Sequence, residues 1–215
     1  MRQRSFEGRA LVGAGLKPAP TSPGPPLKSL QPGRGVLLWG ESLRRVAAAA
    51  AAWGAARGTP VLVVDAANRF DPYALVREAR VRGLAPREAL SRVQVARAFT
   101  CHQLVRLLAE SLPPALEPGS LVMVLGPVSL FYDEQVPLGE RRRLFRDLAR
   151  LCGALKAQAA LLLLQPLLPP EAPNRHFGRL LAKVMDVRVE VGSFAGEGRR
   201  KTIPPPSPAP PPNPL

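Results

Sequence analysis

Between residues 34 and 203, short apolar runs alternate with longer helix-forming stretches, and this alternation limits the folds open to the chain. The runs at 36–39, 61–65 (VLVVD), 93–97 (VQVAR), 121–125 (LVMVL), 160–165 (ALLLLQ) and 186–191 (DVRVEV) have strand length. The early ones are apolar throughout, as strands covered on both faces must be. Helices are predicted at 43–56, 72–82, 86–91, 101–111, 138–157 and 175–183. In 138–157 the residues Leu144, Phe145, Leu148, Leu151, Cys152 and Leu155 fall on one face, with Arg142, Arg143, Arg146 and Arg150 elsewhere. Strand and helix alternating at this spacing predict an α/β domain with a doubly wound, mostly parallel sheet. No internal repeat is evident.

The first junction, GVLLWGESLRRVAAAA from Gly35, has the outline of a phosphate-binding loop: an apolar strand, a glycine, then a helix. Such a loop reads G-x-x-x-x-G-K-[ST], with backbone N–H groups, a lysine and a hydroxyl facing phosphate. Counted from Gly40-Glu41, the second glycine is replaced by Arg45, the lysine by Val46 and the hydroxyl residue by Ala47. The strand, glycine and helix remain useful to a sheet without that chemistry, and alanine suits a helix packed closely on it.

The flanks differ in composition. Residues 1–33 hold six prolines and no apolar periodicity, and residues 204–215 hold eight prolines in twelve positions. Both predict extended or disordered chain around one core domain, 34–203. Cys101 and Cys152 form no disulfide or metal-ligand pattern and read as buried, reduced thiols; neither a metal site nor a cofactor is expected in the chain. No apolar stretch reaches the ~20 residues of a membrane span, and no signal-peptide core is evident, so a soluble cytoplasmic protein is expected. The net charge is +14, from 30 Lys and Arg against 16 Asp and Glu, which favours an anionic partner.

The order of segments resembles the core of the RecA/RadA recombinases, nearer the archaeal and eukaryotic branch. The resemblance rests on VLVVDAANRFDPYALVREARVRGL, RVQVARAFTCHQLVRLLAE, LVMVLGPVSLFYDE, GERRRLFRDLARLCGALKAQAALLLLQ and RKTIPPPSP, in the family's order, over about residues 34–206. It implies a RecA-like P-loop NTPase fold. It also implies that the ATP chemistry is gone. The family's catalytic glutamate falls on Ala67, its Walker B aspartate on Leu125 and the Asn before the strand-end Gln on Leu164. Gly40, Glu41, Asp65 and Gln165 remain as vestiges. Without a lysine for phosphate, a ligand shell for Mg²⁺ or a water activator, phosphoryl transfer has no source of charge stabilisation, and no catalytic residue is assigned.

The resemblance further places single-stranded DNA along two loops, about 131–143 and 166–179. Their basic ends suggest DNA contacts at Arg141, Arg142, Arg143, Arg175, His176 and Arg179, with Phe177 as a ring for base stacking. Asp65 reads as a turn cap, and His102 as a helix cap or core residue. The functional expectation is a catalytically inactive accessory in recombination or DNA repair, partnered by DNA or an active recombinase and not by membrane. A protein-interaction scaffold, and a nucleotide site rebuilt around Asp65 and Gln165, remain as alternatives. Residues 22–33 offer only Leu27 and Leu30 as an apolar docking segment, so no self-filament is expected.

Overall fold

In a computed structural model that describes residues 29–132, 135–168 and 176–192, six parallel strands form one sheet in the order β3-β2-β4-β5-β1-β6. In chain order the elements are β1 (Gly35–Gly40), α1 (Leu43–Ala56), β2 (Val61–Asp65), α2 (Pro72–Val81), α3 (Pro86–Ser91), β3 (Val93–Arg97) and α4 (Cys101–Arg106). There follow β4 (Leu121–Leu125), α5 (Leu138–Gln158), β5 (Ala160–Pro166), α6 (His176–Val184) and β6 (Val187–Val191). The apolar runs β2, β4 and β5 occupy the interior of the sheet, and β4 and β2 are buried along their whole length. The edge strands β3 and β6 carry exposed polar residues instead.

Helices cover both faces. On one, α1, α2 and α3 pack through Val46, Ala50, Leu75, Ala79 and Ala89 onto Val36, Leu38, Val63, Met123 and Leu162. The alanine run brings α1 close to the sheet. At Gly54 a Cβ would stand 2.9 Å from the Val61 side chain, nearer than real Cβ contacts come. On the other face, α4, α5 and α6 enclose Leu104, Phe145, Leu148, Phe177 and Leu181 over Leu37, Val64, Val124 and Leu163.

Local chemistry sets the helix starts. Pro72 opens α2, and the Asp71 carboxylate accepts from the N–H groups of Tyr73 and Ala74 at 2.9 and 3.1 Å. At α4 the Thr100 hydroxyl accepts from Gln103 N–H at 3.1 Å, while the Gln103 side chain accepts from Phe99 N–H at 2.8 Å, a reciprocal cap. The helix expected over 101–111 changes character after Arg106. Residues Leu107–Ser111 form a π-helical turn, with Leu112 N–H donating to the Leu107 carbonyl at 2.9 Å before Pro113 and Pro114 end the run.

The core also reaches further back than its expected start at residue 34. Leu30 is buried beside Val36 and Leu38, and Gly33 N–H donates to the Lys156 carbonyl at 2.6 Å. The segments 1–28 and 193–215, including the Pro-rich tail, lie outside the described residues. Among the described residues, no helix is long and apolar enough to cross a membrane.

Candidate functional site

Parallel strands direct all their C-terminal ends to one edge of the sheet, where ligands of open α/β proteins usually bind. Here β2, β4, β5 and β1 are neighbours, so the four strand ends matched to nucleotide chemistry converge. Each is built for structure. Only Glu41 and Ser42 separate β1 from α1, and Leu43, Arg44 and Arg45 are already helical, so no loop is long enough to encircle a phosphate. Gly40 has φ +137°, and a Cβ there would collide with the Val191 carbonyl oxygen. That glycine admits β6, whose Val191 carbonyl also accepts from Glu41 N–H at 3.1 Å. Val46 and Ala47 are buried against the sheet.

At the end of β2 the Asp65 side chain is wholly buried. It accepts from the N–H groups of Ala67 at 3.2 Å, Arg69 at 3.1 Å and Phe70 at 2.9 Å, with Arg97 Nε at 4.0 Å. Its work is to shape the turn after β2, as expected of a turn cap. At the end of β4, Leu125 is interior, and Gly126 turns the chain with φ +67°. A Cβ on Gly126 would come 2.6 Å from the Ala67 Cβ, so the turns after β2 and β4 pack closely against each other. Gln165 is occupied at both ends. Its oxygen accepts from Val128 N–H at 2.8 Å, and its nitrogen donates to the Pro166 carbonyl at 2.8 Å and approaches the Ser129 hydroxyl at 3.4 Å. Asp65 and Gln165 thus both spend their polar atoms on the turns that follow β2 and β4. No group of three or more metal-ligating side chains occurs among the described residues.

The expected DNA contacts separate. Arg142, Arg143 and Arg179 are exposed, and His176 opens α6 with its ring 4.5 Å from that of Phe177. Arg175 lies outside the described residues. Two expectations are corrected. Phe177 is 1% exposed and stacks on Phe145 at 4.6 Å, beside Phe131, so it is a core ring with no face for a base. Arg141 is 8% exposed and donates to the Phe131 carbonyl at 3.3 Å, so it supports the turn under α5 and is withdrawn from any phosphate.

His102 is also corrected. It neither caps α4, which Thr100 does, nor packs in the core. It is half exposed and meets Glu140 of α5 at 2.9 Å, with Nδ1 3.8 Å from Cys101 Sγ. The hydrogen bond from His102 holds the Glu140 carboxyl below its usual range, and Arg143 at 3.8 Å adds to the effect. Cys152 is inert by contrast, since burial pushes its thiol up to about 12. Sequence reasoning also missed an apolar cleft of about 310 Å³ between the ends of β1 and β5 and the side of α6. Trp39, Val128, Leu167 and Leu181 line it, with Arg179 and Arg188 at its margin. Comparison with models of known protein families and with curated proteins finds no match to this chain.

Proposed function

We propose that the chain is a RecA-like accessory of recombination or DNA repair that acts by binding DNA and does no phosphoryl transfer. The observation that carries this reading is the convergence at one sheet edge of four separate strand ends, matched by the resemblance to nucleotide chemistry. In place of that chemistry stand a two-residue β1–α1 junction, the buried Leu125, the Gly126–Ala67 contact and two polar side chains already satisfied. A positive balance of +14 supports a polyanionic partner. Calorimetry with ATP and Mg²⁺ is expected to give no micromolar binding, and filter binding is expected to retain single-stranded DNA at low salt and release it steeply as salt rises. Micromolar ATP affinity overturns the first half, and salt-insensitive or absent DNA binding the second.

The cleft beside Trp39 favours a second reading, a protein-interaction scaffold in which the apolar walls hold a partner side chain. It is distinguished by retention of a partner protein at salt concentrations that strip DNA.

A further inference from the structure

The DNA reading places its stacking ring at Phe177 and its phosphate contacts at the start of α5, and the burial of Phe177 leaves that set without an aromatic. Phe99, between β3 and α4, is 66% exposed. Exposure of one aromatic is ordinary on a protein surface. The setting of Phe99 is not. Its backbone joins the Thr100–Gln103 cap, with Gln103 accepting its N–H at 2.8 Å. Two residues before it, Arg97 has a half-exposed side chain. Three residues after it, His102 reaches Glu140, and Glu140 in turn meets Arg143, whose side chain is 67% exposed.

The His102–Glu140–Arg143 contacts join the start of α4 to the start of α5 at the C-terminal edge of the sheet. Arg97, ending β3, and Phe99, in the connection from β3 to α4, stand at the same edge. The acids there are engaged. Asp65 is buried under three N–H donors with Arg97 at its edge, and Glu140 lies between His102 and Arg143. Arg69, on the turn that Asp65 organises, adds a further exposed cation at the same edge. An exposed ring and exposed guanidinium groups at one edge are the combination that single-stranded nucleic acid uses, with a base on the ring face and phosphates on the cations.

We infer that this strip of the sheet edge is a single-stranded nucleic-acid contact, with Phe99 as its stacking platform and Arg97 and Arg143 as its phosphate contacts. The inference rests on the DNA-binding reading and moves the contact to residues that solvent reaches. A hydrogen-bonded backbone at Phe99 reduces the entropy lost when its ring meets a base.

Fluorescence anisotropy of the full chain with a labelled oligothymidylate, over a range of salt, tests it. Phe99→Ala removes an exposed ring and keeps the backbone cap, so the melting temperature stays that of the parent. Its affinity is expected to fall roughly 5- to 150-fold with the salt slope unchanged, which is the stacking contribution of one base. The double variant Arg97→Gln/Arg143→Gln is expected to flatten the slope of log affinity against log salt by about 1.4, ~0.7 for each phosphate no longer neutralised. If the parent chain does not bind the oligonucleotide at low salt, the DNA reading fails and the strip falls with it. If the parent binds and both variants bind like it, the strip is wrong and the DNA reading stands. If polyglutamate displaces the oligonucleotide at equal charge concentration and Phe99→Ala has no effect, the surface recognises acidic protein and the stacking assignment is overturned.

Discussion

Three consecutive arginines open α5, and each does something different. Arg141 turns inward beneath the Phe131 carbonyl, Arg142 is exposed, and Arg143 pairs with Glu140. Successive helical residues differ by about 100° around the axis, so a charge run cannot lie on one face. Arg141 shares the face of Leu144, Phe145, Leu148 and Cys152, all buried. Arg141→Ala should therefore destabilise the fold by about 1–3 kcal/mol, because it removes a packed stem and the hydrogen bond to the turn below. Arg142→Ala should stay within about 0.5 kcal/mol of the parent. Urea denaturation of both variants checks the difference, and equal midpoints would show that Arg141 is not part of the core. The helical periodicity already contained this outcome, because Arg141 stands three and four residues before Leu144 and Phe145. Phe177 likewise stands four before Leu181, and both are buried. Reading those positions as members of a loop obscured the pattern.

The elements were legible because each carries its own signal. The interior strands are unbroken apolar runs, and the helix starts are marked by Asp71-Pro72 and by Thr100 with Gln103. The contacts among strand ends were not legible, since they depend on which strands become neighbours. The Gly126–Ala67 approach is one such contact, made because β4 lies beside β2 with Asp65 opposite Leu125. It gives a prediction at this scale. Gly126→Ala faces two separate costs, a left-handed φ of +67° and a Cβ placed 2.6 Å from that of Ala67. The first is about 1–2 kcal/mol for a residue with a Cβ, and overpacking adds about 1–3 kcal/mol. Ala67→Gly in the Gly126→Ala background should recover only the part of the overpacking made against the Ala67 Cβ, because the Ser129 hydroxyl at 2.9 Å and the residue-67 backbone nitrogen at 3.2 Å remain. A double-mutant cycle measured by chemical denaturation should give a coupling of about 0.5–3 kcal/mol. Additive effects would mean that the two turns move apart freely and that the space between them is not closed by this contact.

Across the whole molecule, β1 is the strand through which distant parts of the chain are joined. At its C-terminal end it is tied to β6 by the Glu41–Val191 hydrogen bond, and at its start it is tied to both α5 and the turn before β6. The Asp186 carboxylate accepts from Gly35 N–H at 2.8 Å and from Lys156 Nζ at 3.1 Å, while Lys156 also donates to the Val184 carbonyl at 2.9 Å. One carboxylate thus links the first strand, the longest helix and the last crossover. The Gly35 N–H, followed by Lys156, lowers the pKa of Asp186 from its ordinary value of 3.8. A carboxyl with a depressed folded-state pKa binds its proton more weakly in the native protein than in the unfolded chain. Its contribution to stability is therefore complete above the unfolded value and is lost as pH falls through the lower folded value. Glu140 acts in the same direction through His102, although at pH low enough to protonate its carboxyl that link is lost too. Urea midpoints measured from pH 6 downward should fall steadily through the carboxylate range. Asp186→Asn should be less stable than the parent at pH 6 and should lose less on acidification, so the two curves converge toward low pH. The amide keeps an oxygen for Gly35 N–H but has no charge for Lys156 and no proton to gain. Curves that run parallel over the whole range would show that Asp186 does not hold the ends of the sheet together by its charge.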